Sequence, residues 1–481
     1  MASTFGGISL CSVGLYNSQT NLYTANVNIN NAGTTGYSRQ IVNQDPGYTT
    51  TMSNGVVAVG INPDAVSIEQ SRSAYLDQRY WNEQPALGEW ETKTNMLSQM
   101  ESILNELDDT GIIAGLDALN QSLETLTTEP QSIAAKTAVI QEVIALSDTL
   151  NSSSQQLYDL QTSVENDIVF TVDQINQKTA EIANLNDEIL QLELSGGNAS
   201  ALEDQRNLLI DELSQLTDIS VMETTIGTTS DGQSIIGYTI KSGNSLLVNE
   251  GTSHALETTE SINADGIRNV SISWAENGQD YTPNSGSLKA NLDLMNGDGT
   301  SGSYKGIPYF MNDLDEFAST LVTELNVIHE AGYGQENDTG ISLFDPLSTS
   351  ALNIQLSSEL LEHPEQLALS SQPGEAGNTE NLSALIECLN DTSTFGEGSF
   401  NDYINKLTTE LGSDISYANN KLESATGLTM QIDLNRMSIS GVSVDEEMSS
   451  IVLQQQIYDA TAKMMQMWNE IIDTTITQLG G

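Results

Sequence analysis

The amino-acid sequence predicts a mainly α-helical protein that carries a small β insert. Both ends of the chain place apolar residues at alternating spacings of three and four, which is the pattern of one helix face. No proline occurs between Pro130 and Pro283, so long helices can form there. Short β-prone runs separated by turn sequences begin near residue 221. At 481 residues, 38% of them hydrophobic, the chain is long enough for several domains with cores of their own.

The strongly acidic composition argues against two classes of partner. Lys and Arg total 15 against 66 Asp and Glu, which gives a formal net charge of −51 at pH 7. This charge repels nucleic acid and anionic lipid, and no segment approaches the roughly 18 apolar residues of a membrane span, so no nucleic-acid or membrane partner is expected. The N-terminus lacks the positive region of a signal peptide, which leaves a cytoplasmic protein or one exported without cleavage.

The first predicted element is an amphipathic helix that ends near Gly33. It is nearly uncharged, since residues 1 to 38 contain no Asp, Glu, Lys or Arg. Few of its residues are strong helix formers, so it needs a partner helix in order to form. Its apolar stripe consists of Ile8, Cys11, Leu15, Ser18, Leu22, Ala25 and Ile29.

Two long helices are predicted in the middle of the chain, after short extended pieces punctuated by prolines. The first is at least 30 residues long, since heptad-like spacing continues from Leu157 to Ile189. Its stripe consists of Leu157, Val164, Ile168, Val172, Ile175, Ile182 and Ile189. Gly196 and Gly197 end this helix, and a second helix from about 199 to 216 completes an antiparallel hairpin.

A small β domain and further helices follow the hairpin. The β-prone runs cover 235–241, 246–248 and 270–274 and are separated by Ser-Gly-Asn, Asp-Gly and Asn-Gly turns. Helix is predicted again over 312–330 and 401–437, with an acidic, loop-rich stretch between them.

The C-terminal helix is the most clearly marked element of the sequence. Ser443 precedes it as a capping residue, and Asp445 and Glu447 suit the positive end of its dipole. Its apolar stripe consists of Met448, Ile451, Tyr458, Ala462, Met465, Ile472, Ile476 and Leu479. The chain therefore opens and closes with amphipathic helices.

Catalytic and metal-binding motifs are incomplete or missing in the sequence. The run 297–302 fits GxGxxG but follows a helical stretch rather than a strand, which favours a solvated linker over a dinucleotide site. His329 and Glu330 begin an HExxH motif that lacks its second histidine. Cys11 and Cys388 lie far apart and are expected to be free thiols. Neither enzymatic activity nor a cofactor or metal is expected, although the acidic Gly-rich loops leave Ca²⁺ binding open.

Four blocks, one of them the pair 182–189 and 202–209, resemble one family, the flagellar axial proteins. The segment 28–40, Asn-Ile-Asn-Asn-Ala-Gly-Thr-Thr-Gly-Tyr-Ser-Arg-Gln, resembles the Asn-rich turn of flagellar rod, hook and hook-associated proteins, and its ending is similar to that of hook–filament junction proteins. The blocks 182–189, 202–209, 286–292 and 440–447 resemble further parts of the same proteins. The resemblance covers both ends and the middle of the chain, whereas 332–398 resembles no known block.

The resemblance implies a discontinuous, rod-like, multidomain architecture. Residues 1–45 with 443–481 would form an inner coiled-coil domain, 46–220 with 284–442 a long-helix domain, and 221–283 an outer β domain. The terminal helices would pair within one subunit and face neighbouring subunits. The expected assembly interface comprises Ile8, Cys11, Leu15, Leu22, Ala25, Ile29, Met448, Ile451, Tyr458, Met465, Ile472 and Ile476. The expected family turn comprises Asn30, Asn31, Gly36, Tyr37 and Arg39.

The implied function is that of a structural, secreted component of the bacterial flagellum. Copies would form a ring-like axial segment between hook and filament, and the implied partners are the protein itself, the hook protein, a second hook–filament junction protein and a flagellar export chaperone. Export would use the flagellar type III channel. The alternatives are another axial subunit, such as a hook or filament protein, and a secreted surface adhesin that binds its ligand through the β insert and the acidic loops. An enzymatic insert is a third class, but no catalytic constellation supports it.

Overall fold

Helices make up most of the protein. The computed structural model describes residues 4–44, 50–51, 57–58, 67–104, 111–229, 234–262, 266–375, 377–396 and 398–479. The helices are α1 (Thr4–Asn31), α2 (Ala74–Ile103), α3 (Ile112–Thr128), α4 (Ile133–Leu194), α5 (Ser200–Leu216), α6 (Ser287–Asn296), α7 (Ile307–Ala331), α8 (Ser358–Glu362), α9 (Glu380–Leu389), α10 (Phe400–Ser440) and α11 (Val444–Leu479). No described helix is both long enough and apolar enough to span a membrane.

Small antiparallel sheets supply the β structure. The strands are β1 (Gln40–Asn43), β2 (Thr50–Thr51), β3 (Val57–Ala58), β4 (Ser67–Gln70), β5 (Ser220–Thr228), β6 (Ser234–Ser242), β7 (Ser245–Asn249), β8 (Thr252–Ser253), β9 (Leu256–Ile262) and β10 (Arg268–Trp274). Strands β5 to β8 form one sheet in chain order, and β1 with β4, β2 with β3, and β9 with β10 form two-stranded ribbons. The predicted fold class, mainly α with a small β insert, is confirmed.

The chain divides into two compact units. The first combines Met1–Gln84, Ile175–Ala255 and Thr426–Gly481, and the second combines Pro85–Gln174 and Leu256–Ala425. Strands β5 to β8 belong to the first unit, and β9 and β10 belong to the second. The three-domain division drawn from the sequence stays a prediction.

The stripe predicted for the first long helix lies on α4, which is 62 residues long and therefore about 93 Å from end to end. Its seven residues, from Leu157 to Ile189, are each no more than 3% exposed. Helix α5 follows after Gly196, whose φ of 79° lies in the left-handed region that glycine adopts without strain. The helical hairpin therefore forms where apolar periodicity and the paired glycines place it.

Segment 332–398, the stretch without sequence resemblance, packs in the second unit on α7. Asn326 of α7 donates to the Phe344 carbonyl oxygen at 3.1 Å and accepts from the Phe344 amide at 2.8 Å. Phe317 of the same helix lies 5.5 Å from Phe400 and 6.4 Å from Phe395, between ring centroids. The segment is thus ordered by polar contacts to backbone and by an aromatic cluster, although it contains little regular structure.

Candidate assembly interface

The terminal helices α1 and α11 pack against each other in opposite directions. Gly7 approaches Trp468 so closely that a Cβ atom on the glycine would lie 2.5 Å from the indole ring, and a Cβ atom on Gly14 would lie 3.2 Å from the Thr461 methyl group. From the first contact to the second, the position on α1 advances by seven residues and the position on α11 goes back by seven. The pair is therefore antiparallel with a heptad register, and glycine allows the close approach.

Most of the predicted assembly-interface residues lie on the covered side of this helix pair. Cys11 and Ala25 are buried at 2% and 3% exposure. Half-buried are Ile8, Leu15, Leu22, Ile29, Ile451, Tyr458, Met465 and Ile472. Met448 and Ile476 are instead exposed, at 57% and 62%. Within one chain the predicted stripe thus serves mainly to join α1 to α11, and its role between copies stays a prediction.

A second apolar stripe on α11 faces solvent. It consists of Leu453, Ile457, Met464, Met467 and Ile471, which are between 41% and 57% exposed and follow helical spacings of four, seven, three and four. Helix α1 also exposes Tyr16 and Tyr23, at 64% and 68%, one heptad apart. We call these seven residues the outer face. Sequence reasoning missed it because only one phase of the periodicity was followed, although the second phase is present in the same residues.

The outer face indicates that the terminal helices have a further partner. A helix that is apolar on opposite sides is typical of an element that is covered all round. Exposed apolar surface that follows a helical repeat marks an interaction site more often than scattered single residues do. One side of α11 is covered by α1, so the other is available to another molecule.

The family turn after α1 is held by the side chain of Asn28. Its amide oxygen accepts from the Tyr37 hydroxyl at 2.7 Å and from the Gln40 amide at 2.9 Å, and its amide nitrogen donates to the Gln40 carbonyl oxygen at 2.9 Å. Burial, together with the nearby carboxylates of Asp204 and Glu447, raises the pKa of Tyr37 to about 12. Asn28 therefore closes the turn, although only its neighbours were singled out from the sequence.

The other turn residues have different surroundings. Gly36 adopts a φ of 79°, and a side chain there would also press on Leu208, so the position requires glycine. The Asn31 amide donates to the Val27 carbonyl oxygen at 3.0 Å, within the last turn of α1, and Asn30 is exposed. The turn motif therefore depends on its backbone geometry, and only a few of its positions require a particular residue.

Arg39 joins the turn to the start of α11. Its Nε donates to Glu447 Oε1 at 2.7 Å, and its Nη1 lies 3.4 Å from Glu446 Oε2. Its backbone amide donates to the Ser440 carbonyl oxygen at 2.8 Å, and its own carbonyl oxygen accepts from the Ser71 amide at the same distance. One residue therefore ties the end of α1 to the connection between α10 and α11.

A buried ion-pair network continues from the turn. The Ser38 amide donates to Asp204 at 3.1 Å, and Arg72 lies 3.5 Å from the same carboxylate and 3.1 Å from Asp77. Arg436 of α10 bonds Asp77 at 2.8 Å and Asp211 at 3.0 Å. Burial raises the pKa of Asp211, and the Arg436 guanidinium opposes that shift. The network fixes α2, α5 and α10 to the turn.

A cavity of about 920 Å³ borders this network and is lined by Arg39, Arg72 and Arg436 among others. The guanidinium groups are engaged by carboxylates of the same chain, so the arrangement can hold elements together rather than carry out a reaction. Among the described residues, no three or more His, Cys, Asp or Glu side chains are grouped so that they could hold a metal ion.

A second polar anchor attaches the β5–β8 sheet to the helical hairpin. The buried Asn186 of α4 accepts from the Tyr238 amide at 3.2 Å and donates to the Tyr238 and Glu250 carbonyl oxygens at 3.0 and 2.8 Å. Arg206 of α5 donates to Asn186 at 3.0 Å, and its guanidinium lies 4.0 Å above the Tyr238 ring. Both residues belong to blocks that carried the sequence resemblance, so those blocks have a structural role.

Comparison with known proteins identifies the family. Residues 97–344, just over half of the chain, match the family model of the flagellar hook-associated protein FlgK helical domain. The chain belongs to the FlgK family. Residues 435–479, which include all of α11, also match the model of the C-terminal part of flagellar basal body rod proteins FlgEFG. The segment 345–434 lies outside both matches.

Relatives of the FlgK family align along nearly the whole chain. Flagellar hook-associated protein 1 of Bacillus subtilis is 28% identical, over 100% of this chain and 99% of the relative. The protein of the same name from Escherichia coli is 24% identical, over 96% and 98% of the two chains. The flagellar hook junction protein FlgK from Burkholderia pseudomallei has the same fold, with a TM-score of 0.63 and 14% identity, over 76% of this chain and all of that one.

These findings confirm the resemblance seen in the sequence. As a member of the FlgK family, the chain is a structural component of the flagellum. Its relatives are structural flagellar proteins rather than known enzymes.

Proposed function

We propose that copies of this chain pack through the outer face to build a ring-like axial segment between flagellar hook and filament. The observation that carries the proposal is the second apolar stripe of α11, from Leu453 to Ile471, which is exposed in the described part of the chain. Because α1 already covers the opposite side of α11, a neighbouring copy is the partner that would bury the remaining surface. A lattice of identical copies also repeats one contact many times, which suits a head-to-tail arrangement.

The proposal includes particular partners and a route of export. Hook protein would contact the segment on one side, in line with the names of the hook-associated relatives, and a second hook–filament junction protein would contact it on the other. The chain would pass through the flagellar type III channel with the help of an export chaperone. An uncovered apolar helix face supports a chaperone, since the free monomer exposes surface that would otherwise associate prematurely.

The experiment introduces a charge on the outer face without disturbing the fold of one chain. Met464 is 45% exposed, so Met464→Asp leaves the α1–α11 contact intact but places a carboxylate in the proposed contact between copies. Gln466→Asp adds the same charge at an exposed position off the stripe and is the matched control. Both variants replace the native gene in the source organism, and export is confirmed by protein in the medium.

The expected result is loss of filaments from hooks in the Met464→Asp strain and normal filaments in the Gln466→Asp strain. The readout is electron microscopy of the hooks. Normal filaments with Met464→Asp would disprove the role of the outer face. Loss in both strains would show that added charge, rather than this face, prevents assembly, and would equally reject the proposal.

A further inference from the structure

A small cavity lies beside the start of α4 in the second unit and is separate from the proposed assembly surface. Its volume is about 240 Å³. It lies between residues 130–136, which lead into α4, and two stretches of segment 332–398. Its walls are mainly polar, with Tyr333, Gln335, Glu375 and Asn378 among the residues that line it. The cavity volume is below the roughly 300–1,000 Å³ of a pocket for a drug-sized molecule, so the cavity fits a ligand of about amino-acid size.

Lys136 is the cationic residue among those that line this cavity, and it is 1% exposed. Its ammonium donates to the Glu365 carbonyl oxygen at 3.0 Å, and the Gln335 amide oxygen lies 3.5 Å away. Both oxygens are neutral. The Glu365 carboxylate is directed elsewhere, since its Oε1 lies 3.0 Å from His363 Nδ1. Within the described part of the chain, the close contacts of this ammonium therefore include no carboxylate.

A buried ammonium without a negative partner is unusual in a protein. Removing a charge from water costs several kcal/mol unless an opposite charge is brought close. In agreement with this, burial lowers the pKa of Lys136, although the charge of Glu365 partly opposes the shift. Among the described Asp and Glu residues none lies at this ammonium, which leaves room for a carboxylate from outside.

The backbone adds to the positive potential at the same place. Lys136 lies in the first turn of α4, and its amide donates to the Ser132 carbonyl oxygen at 3.0 Å. The N-terminal end of a helix carries a partial positive charge and favours anions. Helix α4 is 62 residues long, so this end has a fully developed dipole. Lysine and helix end therefore favour the same kind of ligand.

We propose that this cavity binds a small molecule with a carboxylate, which pairs with the Lys136 ammonium. Glu375 at the rim is exposed, and its carboxylate accepts from the Asn378 amide at 3.0 Å. A negative group there disfavours a second ligand carboxylate and favours an ammonium. The ligand class is thus a free amino acid, whose two charges match one lysine and one glutamate in a cavity of its size. The inference does not depend on the proposed assembly function.

The test is isothermal titration of the full chain at constant ionic strength with three probes. L-serine carries both charges, acetate carries only the carboxylate, and ethylamine carries only the ammonium. Saturable binding is expected for serine and weaker binding for acetate, with none for ethylamine. The proposal is rejected if neither serine nor acetate gives a saturable heat of binding. It is also rejected if ethylamine binds as well as serine.

Variants assign the binding to the cavity. Lys136→Met keeps the length of the side chain and removes the buried charge at the loss of two hydrogen bonds to neutral oxygens, and a melting curve of the variant checks that the fold persists. The substitution should weaken serine binding at least tenfold, whereas Lys406→Met at an exposed position should leave it unchanged. Glu375→Gln should weaken the binding of serine more than that of acetate. Serine binding that survives Lys136→Met with a native melting curve would overturn the assignment.

Discussion

The terminal helix pair and segment 332–398 are held in place by different kinds of contact. Helices α1 and α11 meet through glycines and apolar side chains at heptad spacing, and Gly7 lies close against the Trp468 ring. Segment 332–398 is held by side chains that bond backbone groups. The Asn381 amide donates to the Ala368 carbonyl oxygen at 3.0 Å, and the Ala368 amide donates to His329 Nε2 at the same distance.

The difference explains why the two regions are suited to different tasks. Apolar packing is non-directional and leaves α11 with a second apolar side that another copy can cover. Side-chain bonds to backbone are directional and satisfy polar groups inside one chain. The terminal pair can therefore extend its packing to neighbours, whereas the bonds described for segment 332–398 are made within its own unit.

The largest expected effect comes from blocking the close approach in the terminal pair. Gly7→Leu places a side chain against Trp468, where a Cβ atom alone would lie 2.5 Å from the ring. Overpacking of this kind costs about 1–3 kcal/mol, and every copy in an assembly carries the same change. We expect hydrogen exchange in α1 to accelerate and filament attachment to be lost.

Two controls separate packing from helix propensity. Leucine is a better helix former than glycine, so a loss of protection in Gly7→Leu must come from the contact with α11. Gly33→Ala adds a methyl group where no atom lies within 4 Å and should change nothing. Adding Trp468→Ala to Gly7→Leu should restore part of the protection. Unchanged exchange in Gly7→Leu alone would contradict the packing described for this pair.

The terminal helices and the helical hairpin could be predicted because their apolar residues repeat. All seven residues of the α4 stripe are buried, and the two terminal stripes lie mostly at the α1–α11 contact. The resemblance of the turn from Asn28 to Gln40 further indicated the family before any fold was known. Both an apolar repeat and a local motif can be recognised within one continuous stretch of sequence.

Contacts between distant residues could not be predicted in the same way. Asn326, His329 and Asn381 are single polar residues without a repeat, and nothing in the sequence marks the backbone groups that they bond. Arg436 likewise meets Asp77 only because the fold brings α10 to α2, although Arg72 reaches the same carboxylate from only five residues away. The α11 stripe of the outer face follows the same helical period as the predicted stripe but is displaced around the helix. It was missed because a second stripe draws notice only when the first is known to be covered.

An effect confined to one unit of the chain, and therefore smaller than a loss of filament attachment, is expected from titration of His329, which is fully buried. Its Nδ1 donates to the Ile341 carbonyl oxygen at 2.6 Å and its Nε2 accepts from the Ala368 amide, so the ring is neutral. Burial lowers the pKa of His329 to about 4, against a smaller opposing effect of the Ile341 bond and Glu330. The unfolded chain takes up a proton as pH falls through about 6.5, and the folded chain does so only near 4.

The contribution of His329 to stability is therefore complete above pH 6.5 and is lost as pH falls to 4, by about 3 kcal/mol in total. His329→Gln keeps one donor and one acceptor but does not titrate. The measurement is the opening free energy from hydrogen exchange at the Ala368 amide, at pH 7.5 and 4.5. Wild type should lose about 2 kcal/mol more than the variant between these two values. Equal losses would show that His329 does not carry this pH dependence.

The smallest expected effect concerns the ion pair between Arg39 and Glu447, which is the polar anchor of the terminal pair. The Arg39 side chain is 30% exposed and that of Glu447 is 5% exposed, so the pair is only partly shielded from solvent. A charge-assisted bond in such a position contributes about 1 kcal/mol and weakens with salt. The bonds of His329 are made by a neutral ring and should hardly respond to salt, so salt distinguishes the two regions.

Salt also screens the repulsion within a chain of net charge −51. This screening stabilises the whole chain and could hide the loss of one ion pair. A double-mutant cycle of Arg39→Gln and Glu447→Gln removes this general term, because all four proteins share it nearly equally. The coupling energy should be about 1 kcal/mol in 0.1 M salt and fall well below half of that in 1 M salt. Chemical unfolding of the four proteins at both salt concentrations provides the values. A coupling that is absent at low salt, or that does not change with salt, would show that a partly screened ion pair between Arg39 and Glu447 does not help to hold the turn.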